Sequence, residues 1–140
     1  MEKICCFFGH GDTDSDIFKI LYSEIEKHIT QFNIATFYVG GYGSFDRMSV
    51  VILNEIKRKY PYINIVHVLA YLPIEKTNEY KTSLYSSTIY PNGLEIVPQK
   101  FAITYRNRWI VEQSDCLITY VRTSYGGAYK ALQYAKRKGK

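Results

Sequence analysis

Three short turns hold the residues best suited to binding. They are Gly9-His10-Gly11-Asp12, Gly40-Gly41-Tyr42-Gly43-Ser44 and Ser124-Tyr125-Gly126-Gly127. Glycine lets the backbone approach a ligand closely, and N–H groups exposed at the start of a following helix attract an anion. Three such turns in 140 residues point to a phosphate-bearing ligand. Neither GxGxxG nor GxxxxGK[ST] occurs, which excludes the dinucleotide fingerprint and the Walker loop. Phe45 and Asp46 follow the second turn, and Asp46 offers a carboxylate to a ribose hydroxyl.

His10 and Asp12 have the makings of an acid/base pair, but a turn with a capped helix is the commoner use of such residues, so no catalytic residue is assigned. Arg106 and Arg108 present a choice between an anion clamp and a surface ion pair with Glu112. Helix phase separates them. Arg106 shares a face with Ile103 and Ile110, whereas Arg108 shares one with Glu112, four residues on. Arg106 therefore joins the candidate site. Cys5 and Cys6 are adjacent and point to opposite faces of a strand. Cys116 is distant, and no two histidines are spaced for one ion, so neither a metal site nor a cofactor is expected.

The elements that must position these turns alternate. Apolar or β-branched runs at 3–8, 34–39, 63–70 and 116–121 read as buried strands. Ile17, Ile20, Leu21, Ile25 and Ile29 recur at helical spacing, with Ser15 and the neighbouring Asp residues as caps. A second helix is expected over about 46–60, with Met48, Val51, Ile52 and Ile56 inside and Pro61 as its stop. Further helices are expected over 99–113 and 127–138. Such alternation predicts an α/β domain spanning 1–140, a parallel sheet covered by helices on both faces, and strand order 3-2-1-4. A fifth strand, after the last helix, should be short or absent. The connection over about 71–98 has no clear period and leaves a strand end, where ligands bind in such sheets. Tyr71, Tyr80, Tyr85 and Tyr90 cluster there. They suit either stacking on a base or a dimer surface, and a homo-oligomer is expected.

Hydrophobic residues make up 46% and charged residues 22%, which argues against disorder. No stretch suits a membrane span and the amino terminus does not read as a secretory signal, so a cytoplasmic location without membrane contact is expected. The net charge of +5 resides wholly in the last eleven residues, in Lys130, Lys136, Arg137, Lys138 and Lys140. It suits a helix carboxyl end better than a nucleic-acid footprint, so nucleic acid is allowed but not favoured.

The segments ICCFFGHGDT, FYVGGYGSFDRM, PQKFAITYRNRWIVEQSDCLITYV and TSYGGAYKALQYAKRKGK resemble the SLOG superfamily, and in particular its small standalone bacterial and phage members. The resemblance covers nearly the whole chain. It implies a Rossmann-like fold and a pocket for nucleotides or their derivatives, formed by Gly9, His10, Gly11, Asp12, Gly40, Gly41, Gly43, Ser44, Phe45, Asp46, Arg106, Asn107, Ser124, Gly126 and Gly127. Two departures stand out. Standalone members read Gly-His-Arg in the first turn, where this chain has Gly11, one cation fewer. The superfamily's phosphoribohydrolases carry Pro-Gly-Gly-x-Gly-Thr-x-x-Glu. The stretch from Ser124 to Ala131 keeps the paired glycines but lacks the catalytic Glu. The expectation is therefore a nucleotide-binding sensor, carrier or sequestering protein. A phosphoribohydrolase or nucleosidase, or a single-stranded nucleic-acid-binding module, stands as the alternative.

Overall fold

The computed structural model describes residues 2–72 and 84–140. Five strands form one sheet: β1 (Ile4–Gly9), β2 (Thr36–Val39), β3 (Asn64–Val68), β4 (Ser87–Ile89) and β5 (Cys116–Tyr120). Every pairing is parallel, and the spatial order is β4-β3-β2-β1-β5. The helices are α1 (Phe18–Thr30), α2 (Gly43–Lys57), α3 (Ala102–Gln113) and α4 (Gly127–Arg137), with short 3-10 turns at Ser15–Ile17, Leu94–Ile96 and Gln99–Phe101.

Side-chain alternation along β1 divides the core. Cys5 and Phe7 pack with Leu21 and Ile25 of α1 and with Ile52 and Ile56 of α2. Cys6 and Phe8 point the other way, onto Ile110 and Val111 of α3 and Ala131 and Ala135 of α4. A strand covered on both faces has no polar side, which is why these runs are continuously apolar. The result is the expected α/β architecture, a parallel sheet between two helical layers in a Rossmann-like arrangement.

The four strands read from the sequence keep their expected order, with the last beside the first. The fifth strand corrects the expectation. It is short, but it lies inside the long connection and extends the opposite edge, pairing with β3 through Val66–Ser87, His67–Thr88 and Val68–Ile89. Three residues, two of them exposed, leave too little pattern to read. They satisfy the outer ladder of β3, which would otherwise be an open edge.

Several local expectations also change. Ile20 and Val51 are 72% and 55% exposed, so neither helix buries them. Helix α2 begins three residues before the expected start and ends at Lys57, ahead of Pro61. Neither Ser15 nor the Asp residues cap α1 through a side chain. Thr13 closes that turn instead, its N–H and hydroxyl donating to the His10 carbonyl at 3.3 and 2.7 Å. The Arg108–Glu112 ion pair is absent among the described residues. Both meet Tyr134 of α4: the Arg108 guanidinium lies 5.2 Å from its ring, and Glu112 accepts from its hydroxyl.

Candidate functional site

A cavity of about 550 Å³ opens at the carboxyl ends of β1, β2 and β5. It sits where the chain order reverses, with β2 on one side of β1 and β5 on the other. Crevices at such reversals bind ligands in open α/β sheets, and the volume lies in the range of small-molecule pockets. Gly9, His10, Gly11 and Asp12 line it from the first turn. Gly40 and Asp46 line it from the second, and Gly126 and Gly127 from the third. Arg106 and Asn107 reach it from α3.

Gly41, Gly43, Ser44, Phe45 and Ser124 are not among the lining residues. Three of these five, Gly43, Ser44 and Phe45, hold the first two turns together, and Gly41 packs on β3. A Cβ on Gly43 would stand 2.7 Å from the Gly11 Cα, and one on Gly41 would stand 2.5 Å from His67 Nε2. Both glycines have positive φ, +85° and +83°, which side chains rarely adopt. The Ser44 N–H donates to the Gly11 carbonyl at 2.9 Å, and its hydroxyl donates to the Thr13 carbonyl at the same distance. Phe45 is buried against Gly9. The glycines of the second turn thus serve chiefly loop packing rather than ligand approach.

The His10–Asp12 pair is taken up by Arg122, which the sequence reading passed over. His10 Nε2 accepts the Arg122 backbone N–H at 2.6 Å, so the ring proton sits on Nδ1. Asp12 Oδ1 lies 3.7 Å from Arg122 Nη2. The two residues tie the first turn to the turn after β5. The Arg122 side chain lines the cavity and is 46% exposed, so its charge is open to a ligand.

Arg106 is 3% exposed, which bears out the helix phase. Ile110 is buried with it, whereas Ile103 is partly exposed at the cavity rim. Most of the guanidinium is committed. Nη1 donates to the Gly40 and Val68 carbonyls at 2.8 and 3.1 Å, and Nε donates to Asn107 Oδ1 at 2.9 Å. It also lies 5.5 Å from the Tyr42 ring. Arg106 therefore pins the ends of β2 and β3 and lends the cavity positive potential with few free donors. Burial pulls its pKa below the ordinary value, while Asp46 opposes that shift.

Asp46 is only partly buried as a residue, but its carboxyl is recessed. Oδ2 accepts the Tyr42 N–H at 3.0 Å. Burial pushes its pKa up to about 6, against the pull of that hydrogen bond and of Arg106 and Arg47. Asp46 already occupies the start of α2, which disfavours a phosphate there. The start of α4 is bare: Gly126 provides no side-chain cap, and a Cβ on either Gly126 or Gly127 would meet nothing within 4 Å.

Two aromatic residues missed in the sequence, Tyr42 and Tyr125, line the cavity and are 52% and 73% exposed. The described tyrosines of the long connection do not line the cavity. Tyr85 stacks on His67 at 4.4 Å, and Tyr71 and Tyr90 pack on the small cluster of Ala70, Leu94 and Ala102. Tyr80 lies outside the described residues. A single positional signal marks Tyr42, Arg122 and Tyr125 in the sequence: each follows the end of a strand that borders the cavity.

Comparison of the chain with protein-family models and with curated proteins finds no match. Among the described residues, no helix is long and apolar enough to cross a membrane.

Proposed function

We propose that the protein binds a nucleotide-derived small molecule in this cavity, as a sensor, carrier or sequestering protein of the SLOG type. The observation that carries the reading is the joining of three turns around one crevice at the chain reversal, with opposite chemistry at its two sides. The bare start of α4 and Arg122 suit a phosphate, through backbone N–H groups and a charge-assisted bond. Asp46, at the start of α2, suits a ribose hydroxyl as its partner. Tyr42 and Tyr125 offer exposed rings for a base. The basic residues of the last turn, Lys136 and Arg137, lie at the other end of α4, about 14–15 Å from its start along the helix axis. They do not add to the cavity, which keeps nucleic acid the less favoured partner.

One observation favours a hydrolase as second reading. A carboxyl with a pKa near 6 in a cleft has the poise of a general acid, and Asp46 is such a group. Release of free base from nucleoside monophosphates, lost in Asp46→Asn, would establish it.

Calorimetric titration with a panel of nucleoside mono- and diphosphates, alongside native mass spectrometry for a co-purified nucleotide, tests the binding reading. One molecule bound per chain is expected. Arg122→Gln should weaken binding about tenfold, the worth of one modest charge-assisted hydrogen bond. Failure of every nucleotide to bind, or unchanged affinity in Arg122→Gln, would remove the assignment.

A further inference from the structure

The opposite end of the sheet holds a second cluster. Cys5 is the second residue of β1, Cys116 is the first residue of β5, and the two are paired directly across the β1–β5 ladder. Both side chains face α1, whose His28 lies over them. One ligand atom from each of Cys5, His28 and Cys116 falls within 4.8 Å of the others. Cys5 and His28 are buried, and Cys116 is partly exposed at the edge of the sheet.

We propose that Cys5, His28 and Cys116 form a binding site for a soft or borderline d10 cation of the zinc(II) class. Two thiols and an imidazole are the donor set such ions select. Tetrahedral bonding to zinc brings ligand atoms to about 3.5–3.8 Å of one another, so closure needs shifts of about 1 Å or less. One hydrogen bond fixes the imidazole tautomer. His28 Nδ1 is 2.7 Å from the Glu24 carbonyl, a bond in which it donates its proton and which leaves the Nε2 lone pair available. Phe32 packs edge-on against the ring.

The charge balance suits the setting. On binding, both thiols release their protons to solvent, and two thiolates with a neutral imidazole neutralise a divalent ion. A neutral assembly is the form a largely buried site tolerates. Three protein ligands leave one tetrahedral position for water. The partly exposed edge strand gives the ion a way in. The site is far from the nucleotide cavity, at the amino ends of strands whose carboxyl ends line it, and the inference does not depend on that reading. The cysteines are also chemically distinct from Cys6, which points into the α3–α4 layer.

The test is titration of the reduced full-length chain with cobalt(II) and zinc(II) under anaerobic conditions. Cobalt should bind at one equivalent, with sulfur-to-cobalt charge transfer and tetrahedral visible bands, and one equivalent of zinc should bleach them. Cys6→Ala should retain the spectrum. Cys116→Ser, at the edge and therefore the variant least disruptive to folding, should lose most of the charge-transfer intensity and weaken binding at least tenfold while keeping the far-ultraviolet circular dichroism of the parent. His28→Gln should also weaken binding, and zinc should raise the melting temperature of the parent but not of Cys116→Ser. Absence of stoichiometric metal in the reduced protein, or an unchanged spectrum in folded Cys116→Ser, would overturn the proposal. So would ready formation of a Cys5–Cys116 disulfide in a chain that takes up no metal when reduced.

Discussion

Asp46 couples the cavity to pH. In the folded chain it keeps its proton up to about pH 6, while an unfolded carboxyl loses it near pH 4. Between those values the folded state binds more protons, so this group's contribution to stability falls as pH rises through the window. Asp46→Asn keeps an acceptor for the Tyr42 N–H and removes the ionisation. The variant should be more stable than the parent at pH 7 by about 1–3 kcal/mol, with the advantage vanishing near pH 4. Urea titrations at a series of pH values measure this, and an unchanged slope between pH 4 and 6 would refute it. Arg106 shows how far a residue can be read without its partners. Helix periodicity gave the face correctly. That its Nη1 would be spent on two strand-end carbonyls depends on where β2 and β3 stop, and no local pattern around Arg106 contains that information.

Glycines mark the boundary between fold and function at the scale of elements. A Cβ on Gly9 would stand 2.2 Å from the Phe45 ring, which is buried and cannot swing away. Gly9→Ala should therefore cost about 1–3 kcal/mol through overpacking between β1 and α2. Gly127 opens α4 and faces empty space. Gly127→Ala should leave stability within about 0.5 kcal/mol of the parent while placing a methyl group in the cavity. Denaturation of both variants, with nucleotide titration of the second, separates the two roles. A destabilised Gly127→Ala, or a Gly9→Ala as stable as the parent, would contradict this division. The sequence shows the three turns alike. Their difference is set by what packs behind each: Phe45 behind the first, His67 behind the second, nothing near Gly126 and Gly127 of the third.

At the scale of the molecule, the sheet should not be uniformly stable. β1 and β2 are bonded on both sides and carry core residues such as Cys5 and Phe37 that are fully buried. β4 is a three-residue edge with a mostly exposed surface. Native-state hydrogen exchange should find the β4 amides less protected than those of β1 and β2 by at least about 2 kcal/mol, as expected of a segment that opens without global unfolding. Equal protection across the sheet would show that β4 belongs to the same cooperative unit as the centre. The alternation of strand and helix, the parallel sheet, the neighbours of β1 and the three turns at one rim were all legible in the sequence, because burial on both faces imposes continuous apolar runs and crossovers put the turns at the strand ends. Tertiary structure alone decided the rest. β4 exists because β3 needed a partner, Arg122 joins His10 and Asp12 because β5 lies beside β1, and Cys5, His28 and Cys116 meet because three segments distant in the chain converge at the other end of the sheet. Local periodicity records which face of an element is buried. It holds no record of which distant element will cover that face.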